Sequence, residues 1–194
     1  MSVLTARARS RAAIALAGSI LLSCLAGASF AANAPTVAQE YDLKAAFLFN
    51  FARYVEWPAE AFATSATPIT IGILGEDPFG PSLDEIVANE DVRSRKLIVR
   101  RFATIDQVES CHILFVSASQ AGHMDQIAAK LGNRSVLTVG DVSGFTSRFG
   151  MIGFEMARNR VRLRINLAAA RAAKLTISSM LLRQAKIMKP ENGR

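Results

Sequence analysis

Reactive side chains are scarce in this chain: two cysteines, two histidines, one tryptophan and two tyrosines among 194 residues. Two cysteines, with Cys24 inside an N-terminal apolar run, cannot build the disulfide framework on which small coreless exported domains rely. A zinc site needs three or four converging ligands, and His112 and His123 come with neither HExxH nor paired cysteines. The G-x-S-x-G elbow of serine hydrolases is missing too. Residues 75–82 (GEDPFGPS) lie between a strand and a helix, where a phosphate cradle forms in other proteins. Here Pro81 and Ser82 stand where such a loop needs Lys and Ser/Thr, and Glu76 and Asp77 would repel an anion. Asp77-Pro78 reads instead as a cap followed by a first helical residue. No catalytic residue, metal ligand or cofactor is assigned. Contact, not bond-making, is what this composition favours.

The one long apolar run is N-terminal. Arg7, Arg9 and Arg11 precede residues 12–28, and Ser29-Phe30-Ala31 supplies small residues at cleavage spacing. Residues 1–31 are therefore expected to be a secretory signal cut after Ala31, which predicts a periplasmic product. A lipoprotein attached at Cys24 and an uncleaved anchor are the alternatives. Removing three arginines and no acid lowers the net charge from +7 to +4. A basic surface suits an acidic partner face or anionic lipid, while the compartment and the lack of a binding signature exclude nucleic acid. Only Cys111 remains after cleavage, so no intramolecular disulfide is expected, and its apolar surroundings in 111–119 predict an inert buried thiol.

The remainder reads as a lead-in (32–40), one α/β domain (41–189) and a tail (190–194). Strands are expected at 69–74, 97–102, 113–116 and 135–139, with helices at 79–87 and 124–131 between them. That alternation predicts a layered domain with a mainly parallel sheet. Residues 151–156 and 160–165 then form strands joined by Ala157-Arg158-Asn159, so a late antiparallel hairpin makes the sheet mixed. Asn166 is expected to cap a helix over 167–173, and a second C-terminal helix is expected over 177–188.

Residues 41–58 (YDLKAAFLFNFARYVEWP) carry more apolar surface than a solvated helix needs. Leu43, Phe47, Phe51 and Tyr54 mark a buried stripe, and Pro58 fixes an exit corner at Glu56-Trp57-Pro58. Asp84, Glu85, Glu90 and Asp91 are expected to pair with Arg93, Arg95 and Lys96 on a solvated face. Asp141 and Glu155 read as isolated acids. Arg160, Arg162 and Arg164 share one strand face opposite Val161, Leu163 and Ile165. That ladder is either a soluble outer face or a docking and edge-protecting device.

The segment YDLKAAFLFNFARYVEWP resembles the opening signature of the YfiR family of small exported bacterial proteins. The resemblance continues through 69–86, 111–119, 151–166 and 167–188, in order. It implies a non-catalytic periplasmic regulator that restrains a membrane-bound diguanylate cyclase by binding its periplasmic sensor part. Some relatives are braced by disulfides, which does not carry over to a lone Cys111. Phe149 departs from the family's two glycines before Met-Ile, which puts the local loop geometry in doubt. The expected partners are an inner-membrane diguanylate cyclase or other sensor protein, an outer-membrane lipoprotein that relieves the inhibition, and a second copy of the chain. Phe49, Trp57, Arg160 and Arg162 are the expected contact residues, with Phe47 and Phe51 in the core. A small-ligand sensing or solute-binding module is the alternative. An enzyme using His112 or His123 with an acid or hydroxyl comes third.

Overall fold

The computed structural model describes residues 36–188. The expected signal, the Ala31 cleavage site, Cys24 and the tail lie outside the described residues.

Thr36 and Gln39 start the first helix by a reciprocal capping box. The helix α1 (Val37–Tyr54) therefore begins ahead of residue 41, overlapping the expected lead-in. It runs directly into β1 (Val55–Glu56). There follow β2 (Ile69–Leu74), α2 (Pro81–Val87), β3 (Asp91–Val92), β4 (Arg95–Phe102), β5 (Ile113–Val116), α3 (Met124–Leu131), β6 (Leu137–Gly140) and α4 (Phe145–Arg148). The chain finishes with β7 (Ile152–Ala157), β8 (Arg160–Ile165), α5 (Leu167–Ala172), β9 (Thr176–Ile177), α6 (Ser179–Leu182) and β10 (Ala185–Ile187).

Eight strands form one sheet in the order β10-β8-β7-β6-β5-β2-β4-β3, while β1 and β9 pair separately. Five strand pairs are parallel, and the β7–β8 and β3–β4 pairs are antiparallel. This is the mixed, mainly parallel α/β domain expected. Central strands β2, β5 and β6 are buried at every position, which is why they read as continuous apolar runs. On one face Ile71, Ile73, Phe115, Val139 and Phe154 pack against α1, α2, α5 and α6. On the other Leu74, Leu114 and Val116 pack against α3 and Phe145. Gly72 is compulsory on that second face: a Cβ there would lie 2.8 Å from both Cys111 Sγ and Phe102 Cε2.

Both hairpins have two-residue loops in the left-handed region, Arg158-Asn159 (φ 51° and 61°) and Arg93-Ser94 (φ 51° and 62°). Asn166 caps α5 by accepting from Ala169 N, as expected. Phe149 sits at φ −153° with its ring edge-on to Phe145, so it occupies the glycine position without strain.

Three expectations fail. The second C-terminal helix reduces to α6, because Thr176–Ile177 pairs with Val55–Glu56 and Ala185–Ile187 adds alongside β8. Sheet hydrogen bonds outcompete a helix started by one Ser178 cap. Pro81, not Pro78, opens α2, and Asp77 instead accepts from Phe79 N at 2.8 Å in a local turn. The buried stripe of α1 is Lys44, Ala45, Leu48, Phe51 and Ala52, rotated from the expected one, and Leu43 is 46% exposed.

Candidate functional site

The four expected contact residues do not converge. Trp57 lies at the amino ends of the parallel strands, where its Nε1–H donates to the His112 carbonyl at 3.1 Å. His112 organises that corner. Its Nδ1 accepts from Thr70 N (3.0 Å), so Nε2 carries the proton and donates to the Ala61 carbonyl (3.1 Å). Phe62 stacks on the imidazole at 4.5 Å, and Arg95 lies 3.9 Å over Phe62 while donating to the Thr64, Ser65 and Thr67 carbonyls. Burial holds His112 below its ordinary pKa, favouring the neutral ring. Both ring nitrogens are engaged by backbone groups. Trp57 is thus half-buried and tied into the fold. Phe49 is also half-buried, 5.8 Å from the Arg53 guanidinium.

Arg160 and Arg162 lie at the opposite end. β6 pairs with β7 only through Val139–Ile152 and Gly140–Gly153. The remaining residues of β7 overhang the carboxyl end of β6, by about 13 Å at strand rise. The β7–β8 hairpin therefore projects from the sheet with Arg160 and Arg162 exposed on one face. Met156, 45% exposed, faces the other side near the tip. Arg164 is drawn onto Glu155, Nε to Oε1 at 2.6 Å, which corrects the reading of Glu155 as isolated.

Asp141 is not isolated either. It follows the last residue of β6, and its Oδ2 accepts from Lys44 Nζ (2.6 Å) and from the Tyr41 hydroxyl (2.9 Å). Lys44 also reaches Glu40 Oε1 at 2.6 Å, one helical turn back, and lies 4.2 Å over the Tyr41 ring. Its side chain is 3% exposed and that of Asp141 9%, so this is a buried ion pair. Burial first, and the Asp141 carboxylate second, push the Tyr41 phenol upward, so it stays a donor. Sequence reasoning missed this group. Only the Glu40–Lys44 spacing was a local signal, because Asp141 lies 97 residues away.

Arg101 clamps the 75–82 loop, bonding Asp77 Oδ2 (2.8 Å) and both Asp84 carboxylate oxygens. Its hydrogen bonds hold the Asp84 carboxyl below the usual range. The expected pairing with Arg93, Arg95 and Lys96 is replaced: Arg93 donates to the Val55 and Arg53 carbonyls, and Arg95 as described. Cys111 is buried with its thiol 2.8 Å from the Ile113 carbonyl, and desolvation pushes it up to about 12. Among the described residues no three His, Cys, Asp or Glu side chains gather to hold a metal, and no helix is long and apolar enough to cross a membrane.

No curated protein matches the chain. Among solved structures it is similar to an ABC domain in complex with L-Trp from Streptococcus pneumonia (10% identity, TM-score 0.46). It is also similar to a conserved domain protein from Vibrio cholerae (14% identity, TM-score 0.45). Each likeness covers 62% of this chain, which spans 55% and 54% of those two chains. The profile of the YfiR/HmsC-like family matches residues 41–186, from the Tyr41 beside Asp141 to the last strand. The chain belongs to the YfiR/HmsC-like family, whose members are regulators of periplasmic type.

Proposed function

We propose that the domain is a periplasmic, non-enzymatic regulator that binds the periplasmic sensor part of an inner-membrane signalling protein, a diguanylate cyclase, and holds it inactive. The family match over residues 41–186 carries this reading. The projecting β7–β8 hairpin supports it, because a two-sided element is a ready docking device. Arg160 and Arg162 orient and steer an acidic partner face, and Met156 supplies apolar contact on the other side. The half-buried Phe49 and Trp57 are secondary contact candidates. An outer-membrane lipoprotein is the proposed competitor that relieves inhibition, and a second copy of the chain is a further proposed partner.

The test is the cyclic di-GMP level of a deletion strain expressing the cognate cyclase. The level rises on deletion and returns to wild type when the chain is restored. An Arg160→Glu/Arg162→Glu chain, folded as judged by its unfolding midpoint, fails to restore it. An unchanged level on deletion overturns the proposal.

A further inference from the structure

Three contacts to the buried His112 ring come from one short segment, residues 57–63. Phe62 stacks on the ring at 4.5 Å, Trp57 stands edge-on at 6.1 Å, and the Ala61 carbonyl accepts from Nε2. A further contact, Thr70 N donating to Nδ1, comes from β2. None of residues 57–63 is itself buried, whereas Ile69, Thr70 and Ile113 in the adjoining strands are 2%, 3% and 0% exposed. Both ends of the segment are pinned without help from the imidazole. Val55–Glu56 pairs with β9, and Arg95 holds the Thr64, Ser65 and Thr67 carbonyls.

A proton adds to this ring only at Nδ1, since Nε2 already carries one. Nδ1–H then confronts the Thr70 N–H, donor against donor, and that hydrogen bond is lost. The Ala61 carbonyl favours the cation, but burial outweighs it, and Arg95 opposes it from 3.9 Å over the same Phe62 ring. The other charged side chains on the neighbouring stretches, Glu56, Glu60, Lys96 and Glu109, are exposed, and Arg134 is engaged by the Val108 and Glu109 carbonyls. A charged ring is therefore stable only with water beside it. The segment without a buried residue is the one that yields.

We propose that residues 57–63 form an acid-released flap over His112: a proton on Nδ1 drives the ring out of its niche and lifts the segment, uncovering Trp57 and Phe62 while the sheet stays folded. Above the ordinary histidine range the flap is closed. Below about pH 6.5 the open form takes the proton first, so the ratio of open to closed rises by up to about tenfold per pH unit until the covered ring titrates as well. Opening needs no protein partner and does not rest on the regulatory reading, so either can fail alone.

The experiment is acrylamide quenching of Trp57, the sole tryptophan, in the purified chain from about pH 8 down to about pH 4.5, with far-UV circular dichroism alongside. The quenching constant rises about twofold or more below about pH 6.5 while the dichroism holds. His112→Gln, which keeps an acceptor for Thr70 N and a donor for Ala61 O, removes the rise, and His123→Gln leaves it in place. In the unmodified chain, imidazole nitrogen NMR finds the His112 titration at the same pH as the rise, a readout independent of whether a variant folds. Quenching that stays flat until the dichroism is lost, an equal rise in a folded His112→Gln chain, or a rise that follows His123 while His112 is still neutral overturns the proposal.

Discussion

Lys44 is the place to interrogate the fold. Lys44→Met keeps the unbranched stem in the core of α1 but deletes the ammonium. Asp141 is then left with the Tyr41 hydroxyl as its one donor among the described residues, on a side chain 9% exposed. Removing one member of a buried pair strands the other charge, an effect of about 3–5 kcal/mol. Asp141→Asn costs less, because Lys44 retains Glu40, whose side chain is 20% exposed and partly hydrated. In Lys44→Met/Asp141→Asn neither charge is stranded, so the double variant loses less than the sum of the singles, with a coupling of about 0.5–3 kcal/mol. Urea unfolding at pH 7 reads all four proteins. A Lys44→Met chain within 1 kcal/mol of wild type (roughly the worth of an exposed pair), or strict additivity, refutes the argument that this cluster is buried and mutually dependent.

Other measurements bear on other parts. Native His112 resists a proton that the unfolded chain accepts below about pH 6.5, so stability falls with acidification from there until the native ring titrates, at no more than about 1.4 kcal/mol per pH unit. His112→Gln offers both an acceptor to Thr70 N and a donor to Ala61 O, and should lose that slope; an equally steep profile contradicts the assignment of the slope to His112. With its pKa near 12, Cys111 is about one part in 10⁴ thiolate at pH 8. Iodoacetamide should therefore leave the peptide containing Cys111 unmodified until denaturant is added, as read by mass spectrometry; ready native labelling contradicts its burial. Gly72→Ala forces a Cβ against Cys111 and Phe102 and should destabilise by about 1–3 kcal/mol in urea, and an unchanged midpoint shows that the sheet has room there.

The central sheet was legible because its strands answer to local composition. β2, β5 and β6 are short runs of apolar, mostly β-branched residues, and the β7–β8 hairpin carries its own turn in Arg158-Asn159. What eluded the sequence depends on distant partners. Lys44 is an inward residue because Asp141 waits for it, and a lysine flanked by Asp42, Leu43 and two alanines gives no local sign of that. Residues 176–187 have helical spacing, yet they meet β1 and β8, and those pairings decide their conformation. β1, β3 and β9 are two residues long each, below any periodicity signal.

The parallel attachment of Ala185–Ile187 to β8 has a temporal consequence. The chain is threaded from its N-terminus, so the arginine-bearing strand and its hairpin partner are complete about twenty residues before the segment that pairs with Leu163–Ile165 arrives. During that interval the flank of β8 is an open template for any neighbouring polypeptide, and Arg160, Arg162 and Arg164 keep copies apart by mutual repulsion. A fusion or truncation that disturbs residues 185–187 should make that brief vulnerability permanent.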